Sequence, residues 1–281
     1  MKNKKKLVSL VIVLALAVTS LVGGTLAYFT DTDDAKNVMT LGGVDIMQNE
    51  QQHTIDEEVD NCENPLVDVA EDGLETFVQD KPLMPMVDKR AEGDATVVDG
   101  YFNPLMRNVV DKIVTVSNVA DAESINKEAY VRTIFAFEGR SDVHDAYIGI
   151  LKTDADVVDE STTWTFEYVN ETYTEAGELV ARMVEIDGVT YTIAEAVYHP
   201  VLNPGKTTVP SLRQIFLAPT ADNEVQDWFG ETYDIICVSQ AVQVAGFDDA
   251  VDALNTAWGD LSDTADVTDA ELIAWIESAM E

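Results

Sequence analysis

Between Thr163 and Tyr168 the chain reads Thr-Trp-Thr-Phe-Glu-Tyr, so Trp164, Phe166 and Tyr168 alternate with polar neighbours. That period of two predicts a strand with one face in a core. Val131, Phe135 and Phe137 share one face of Ala129–Glu138, with Thr133 between them. The run from Tyr233 to Val244 places Ile236, Val238, Val242 and Val244 on one face and Cys237 on the other. Asp187-Gly188 separates two further apolar runs, and glycine accepts the positive φ that a two-residue hairpin turn requires. Pro204-Gly205 marks a second turn, because proline presets its first central residue and glycine supplies the next. About nine such segments, parted by turn signals from residue 109 to residue 244, predict a mainly β chain folded as an antiparallel sandwich.

Two regions break this rhythm. From residue 248 onward the period becomes helical: Ala250, Val251, Leu254, Ala257 and Trp258 form one apolar set. Leu272, Ile273, Ile276, Ala279 and Met280 form another on a helix over Asp269–Met280, with Thr268 and Glu271 spaced as a capping box. Between Gln48 and Gly100 the apolar content is broken, the residues are polar and acidic, and Pro65, Pro82 and Pro85 interrupt any strand. This stretch is expected to be loops or an insertion. The predicted organisation is a leader at 1–27, an N-terminal strand segment at 28–47, a sandwich at 48–247 with its insertion near 48–100, and an acidic helical segment at 248–281.

The leader is read from Lys2, Lys4, Lys5 and Lys6, an uncharged run from Leu7 to Val22, and Gly23-Gly24-Thr25-Leu26-Ala27. A charged start, an apolar run and small residues before a cleavage site describe a signal peptide cut between Ala27 and Tyr28. The run is 16 residues, short of the roughly 20 that span a hydrocarbon core. Export follows as the expectation, to the extracellular matrix or cell surface, with membrane contact before cleavage only. Removing the leader leaves 13 basic against 52 acidic residues, a formal charge of −39. Nucleic acid is excluded as a partner, since binding it depends on cationic side chains at phosphates. Cys62 and Cys237 are the two cysteines. An oxidising compartment would permit them to pair, and two buried thiols fit equally well.

Candidate chemistry is sparse. His53, His144 and His199 stand in unrelated contexts, and no H-E-x-x-H, G-x-S-x-G or phosphate-binding loop occurs. Asp31, Asp33 and Asp34, and again Asp263, Asp266 and Asp269, cluster as a calcium loop begins. Neither cluster has the glycine and final glutamate such a loop needs, so solvated acids are expected. No cofactor is called for, beyond loose calcium binding by the density of carboxylates.

Gly-Gly-Thr-Leu-Ala-Tyr-Phe-Thr-Asp-Thr from Gly23, followed by Asn-Val-Met-Thr-Leu-Gly-Gly-Val-Asp-Ile to Ile46, resembles the TasA/camelysin family of proteins secreted by Gram-positive bacteria. Weaker echoes follow in Val-Asp-Lys-Ile-Val-Thr-Val-Ser-Asn, Val-Leu-Asn-Pro-Gly-Lys and Gln-Ala-Val-Gln-Val-Ala-Gly-Phe. The resemblance implies a jelly-roll sandwich, a dedicated signal peptidase, and fibres of biofilm matrix in which each subunit donates its freed N-terminal strand to another copy. On that reading Tyr28 and Phe29 are anchors of the donated segment and Leu41, Val44 and Ile46 its strand-like apolar positions. An accessory matrix or cell-wall protein would anchor the fibre. The resemblance also carries two alternatives, a surface metallopeptidase of camelysin type and an adhesion or ligand-binding module. The long stretch at 48–100 and the C-terminal helices depart from the family pattern.

Overall fold

The computed structural model describes residues 30–33, 44–54, 73–79, 81–86, 101–102, 108–119, 127–152, 164–221 and 233–280. Among these, the first sheet runs β1 (Thr30–Asp33), β13 (Ile235–Gln243), β5 (Ala129–Glu138), β11 (Val189–Leu202). The long β11 is shared on its far side by β10 (Met183–Ile186) and β7 (Trp164–Tyr168). The second sheet runs β3 (Leu74–Thr76), β2 (Ile46–His53), β4 (Val109–Asn118), β12 (Leu212–Leu217), β6 (Ile148–Lys152). All named strand pairs are antiparallel, including a small hairpin of β8 (Thr172–Tyr173) and β9 (Leu179–Val180). The expected mainly β sandwich with short C-terminal helices is the fold.

The core lies between the sheets, where Val110, Val114 and Val116 of β4 meet Val131, Phe135 and Phe137 of β5 and Cys237 and Ala241 of β13. Phe135 stacks on Phe137 with centroids 5.8 Å apart and leans on Phe166 at 5.2 Å. Burying each such ring contributes roughly 1.5–3 kcal/mol. The other face of the first sheet is covered too. Helices α2 (Ala250–Trp258) and α3 (Asp269–Met280) lie there, bringing Leu254, Leu272 and Ile276 against Tyr130, Ile134 and Val238. Nine of the ten residues of β5 are buried for this reason.

Local chemistry places the turns and caps as expected. Asp187 and Gly188 both hold positive φ, 50° and 85°, between β10 and β11, the conformation that lets a two-residue turn follow the twist of its strands. At the start of α3 the Thr268 N–H donates to Glu271 Oε2 at 2.9 Å, and the Glu271 N–H donates back to Thr268 Oγ1 at 3.3 Å. Asp249 caps α2 by accepting the Asp252 N–H at 2.9 Å. On these helices Val251 and Met280 are exposed, at 43% and 51%, outside the apolar faces expected for them. Each sits at the margin of a stripe that Leu254 and Leu272 centre.

Within the described parts of the stretch from Gln48 to Gly100 the expectation of loops is corrected, while residues 55–72, 80 and 87–100 lie outside the described residues. β2 continues through His53, β3 pairs with it, and Pro85 bridges Leu217. Gln48, Gln52 and His53 are buried but polar, with partners inside the fold, so the strand has no hydrophobic alternation to betray it. A short helix, α1 (Ser141–Tyr147), was likewise not anticipated.

Candidate functional site

β1 covers the side of β13 that faces away from β5. β13 and β5 keep one register from Ile235↔Phe137 to Gln243↔Ala129. The Glu138 N–H donates to Asp234 O at 3.0 Å and the Val244 N–H to Glu128 O at 3.1 Å, so the even-numbered residues of β13 bond β5. Backbone groups of successive residues alternate in direction across an antiparallel ladder. Cys237, Ser239 and Ala241 therefore present theirs to the opposite side. β1 meets them in the register Thr30↔Val242, Asp31↔Ala241, Thr32↔Gln240 and Asp33↔Ser239. Without this strand, β13 would be an open edge able to recruit another chain.

A polar seam lies inside the sandwich along this edge. Ser239 Oγ donates to Gln48 Oε1 at 2.7 Å, while Gln48 Nε2 donates to Cys237 O at 3.2 Å and Glu50 Oε1 at 3.1 Å. The Thr133 and Ser239 hydroxyls are 3.1 Å apart. Lys112 pairs with Glu50, and its ammonium sits 4.3 Å from the centroid of the Phe77 ring. Burial pushes the Cys237 thiol well above the usual range, with the Glu50 charge adding to the effect. On the outer face of the sheet, Trp258 Nε1 of α2 donates to Ala241 O at 3.1 Å. The edge that receives β1 is thus tied to the second sheet by Gln48 and to the helical layer by Trp258.

The chain that begins this edge has a recognisable sequence. The family model described as camelysin metallo-endopeptidase matches residues 2–63, which contain β1 and β2. Over these residues the chain is similar to that family. No curated protein and no solved structure matches it.

The name of the camelysin metallo-endopeptidase family raises the question of a resident metal, and the donors answer it locally. His53 Nδ1 is 2.7 Å from Asp111 Oδ2, whose partner oxygen accepts from Gln214 Nε2 at 2.7 Å. His144 is buried between the hydroxyls of Tyr233 and Tyr168, at 2.9 and 2.8 Å, and burial lowers its pKa to about 4. His199 Nε2 lies 2.6 Å from Thr165 Oγ1. Each imidazole is thus engaged in a separate place. Among the described residues no three His, Cys, Asp or Glu side chains gather to hold a metal ion, so these residues do not fit a metallopeptidase centre.

The acidic clusters are likewise committed to structure. Asp266 Oδ2 accepts the Asp260 N–H at 2.7 Å, Asp263 Oδ1 accepts the Ala265 N–H at 2.8 Å, and Asp269 pairs with Arg182 at 2.6 Å. Asp31 and Asp33 lie in β1, and Asp34 is outside the described residues. Of the residues expected to carry cleavage and polymerisation, Ala27, Tyr28, Phe29 and Leu41 also lie outside them. Val44 and Ile46 are buried in the core of their own chain, where β2 begins. Cys237 is a free buried thiol, and Cys62 lies outside the described residues. Sequence reasoning missed Gln48, Trp258 and the seam. A glutamine within a polar run carries no pattern that separates a buried edge-closing amide from a solvated one.

Proposed function

We propose that this protein is exported, loses its leader after Ala27, and assembles into extracellular matrix fibres by passing its N-terminal strand from its own β13 edge to that of another copy. The observation that carries this reading is the pairing of Thr30–Asp33 with Ser239–Val242. Four residues at the outermost position of a sheet make a short ladder. An identical segment from a second copy would satisfy the same N–H and C=O groups by strand addition. A contact that joins one copy's N-terminus to a different surface of the next is heterologous, and such contacts propagate as filaments when they do not close. Cleavage after Ala27 would free the segment only on export. Residues 2–63, where the family resemblance lies, include both the leader and this strand.

The test places a photo-crosslinking amino acid at Thr32 in an equal mixture of isotopically heavy and light subunits. Fibres built by exchange yield cross-linked pairs of mixed isotope between Thr32 and β13. Pairs of one isotope only would mean that the strand stays at home.

A second reading, proteolysis, is favoured by the description of the matching family as a metallo-endopeptidase. Casein hydrolysis by the purified protein, abolished by chelator and restored by added metal, would support it.

A further inference from the structure

We infer that Met183 is an oxidation site whose sulfoxide tightens the fold where α1 begins, because the added oxygen takes over a backbone N–H that the thioether holds only weakly. Met183 opens β10, along which exposed and buried residues alternate. Val184 and Ile186 pack beneath the C-terminal helices, so Val184 and Met183 point to opposite faces of the sheet. On its own face the Met183 sulfur accepts the Ser141 N–H at 3.5 Å. The residue is nevertheless 40% exposed, which leaves it open to a dissolved oxidant. Ser141 is buried, and its hydroxyl is engaged by Leu179 O at 3.0 Å. Arg140, just before α1, supplies no side-chain cap, and its guanidinium pairs with Asp142 at 3.0 and 3.1 Å. The partner of the Ser141 N–H is thus a thioether, a weak acceptor.

Hydrogen peroxide is the oxidant in this reaction. The sulfur lone pair attacks one peroxide oxygen, the O–O bond breaks, and the departing oxygen takes the proton of the first and leaves as water. The thioether is oxidised to a sulfoxide and the peroxide is reduced. In an apolar core such a change is disruptive, since a polar oxygen arrives without a partner. At Met183 the oxygen arrives beside an N–H and partly in solvent, so it gains a hydrogen bond without being buried bare. The surroundings hold that N–H in place. Thr192, directly opposite Met183 in β11, donates its hydroxyl to Gly139 O at 2.8 Å, which fixes the chain two residues before Ser141. Met47, Met84 and Met280 are exposed as well, but among the described residues their sulfurs meet no backbone N–H. They provide the comparison within the same molecule.

The inference does not depend on fibre formation. It is tested by amide hydrogen exchange, read by nuclear magnetic resonance on the full-length chain in mild detergent before and after limited hydrogen peroxide. Peptide mass spectrometry scores the oxygen gained at each methionine. In the wild type Met183 should gain one oxygen, and exchange at Ser141 should slow roughly two- to tenfold, the ratio given by one added hydrogen bond of ordinary net strength. Met183→Leu should be oxidised at its other methionines and show no slowing at Ser141. Met183→Gln carries a carbonyl oxygen on the atom that replaces the sulfur, and it should show the slowed exchange without peroxide. Unchanged or faster exchange at Ser141 once Met183 is oxidised would overturn the inference. So would equal slowing in Met183→Leu, or a Met183 that stays unmodified while Met47, Met84 and Met280 are oxidised. If Met183→Leu does not fold, Met183→Gln decides: slow exchange at Ser141 without peroxide supports the inference, and exchange at the wild-type rate overturns it.

Discussion

Arg132 of β5 and Glu195 of β11 form an ion pair, Nη1 to Oε1 2.9 Å, on the face of the first sheet that the C-terminal helices cover. The guanidinium is fully buried. It also donates through Nε to Gln240 Oε1 at 2.8 Å and through Nη1 to Gly259 O at 3.1 Å, so one side chain ties three strands to the end of α2. Burial pushes the Glu195 carboxyl upward, and Arg132 opposes that shift. Removing one partner strands the other without a counter-charge, which typically costs about 3–5 kcal/mol. Arg132→Ala is expected to lower unfolding stability by that order in urea titration, whereas Arg140→Ala, whose exposed pair with Asp142 is solvated, should lose about 1 kcal/mol or less.

That arginine shows where the sequence was readable and where it was not. The alternation of Val131, Phe135 and Phe137 marks β5, and the Asp187-Gly188 turn and the Thr268–Glu271 cap announce themselves, because each is fixed by residues near in sequence. Arg132 and Arg182 look like surface charges in the same strings. Their burial depends on a helical layer arriving from residue 250 onward, with Arg182 donating to the carbonyls of Leu261 and Val267 at 2.6 and 2.8 Å. The β13 edge was half legible: an N-terminal strand could be foreseen, but not that Gln48 and Trp258 reach the same edge from other layers.

Acid should loosen the fold through His144. Its pKa falls from 6.5 to about 4 because burial between Tyr168 and Tyr233 disfavours the charged ring. Above pH 6.5 both the folded and unfolded states hold it neutral. Below that, the unfolded chain takes up a proton that the folded chain refuses, so stability falls as pH drops from about 6.5 to about 4 and the loss levels off below. The full effect is on the order of 3 kcal/mol. His144→Gln, which can still bond both tyrosines, should flatten this part of the melting-temperature profile. Parallel profiles for the two proteins would refute the assignment.

Cys237 should be inert in the folded protein. Its thiol is buried and shifted well above the usual range, and the thiolate is the reactive form. Iodoacetamide is expected to leave it unmodified under native conditions and to label it after denaturation without reductant. Labelling that requires reductant would mean that Cys237 is bridged, with Cys62 as the candidate partner.

Association should respond to ions. Among the described residues nine are Lys or Arg, and four of them, Lys112, Arg132, Arg182 and Arg213, are buried. The outer surface is thus more acidic than the formal charge of −35 suggests, and like-charged subunits repel over a Debye length of about 8–10 Å at moderate salt. Light scattering from the protein without its leader should rise with added salt, with calcium or on mild acidification. A flat response to all three would contradict charge-controlled assembly.

The most direct test of the account is electron microscopy, with sedimentation, of two proteins: one beginning at Tyr28, and one lacking Tyr28–Asp34 and so missing β1 altogether. The account predicts filaments from the first and monomers or small irregular oligomers from the second. Filaments formed equally well by the shortened protein would contradict it.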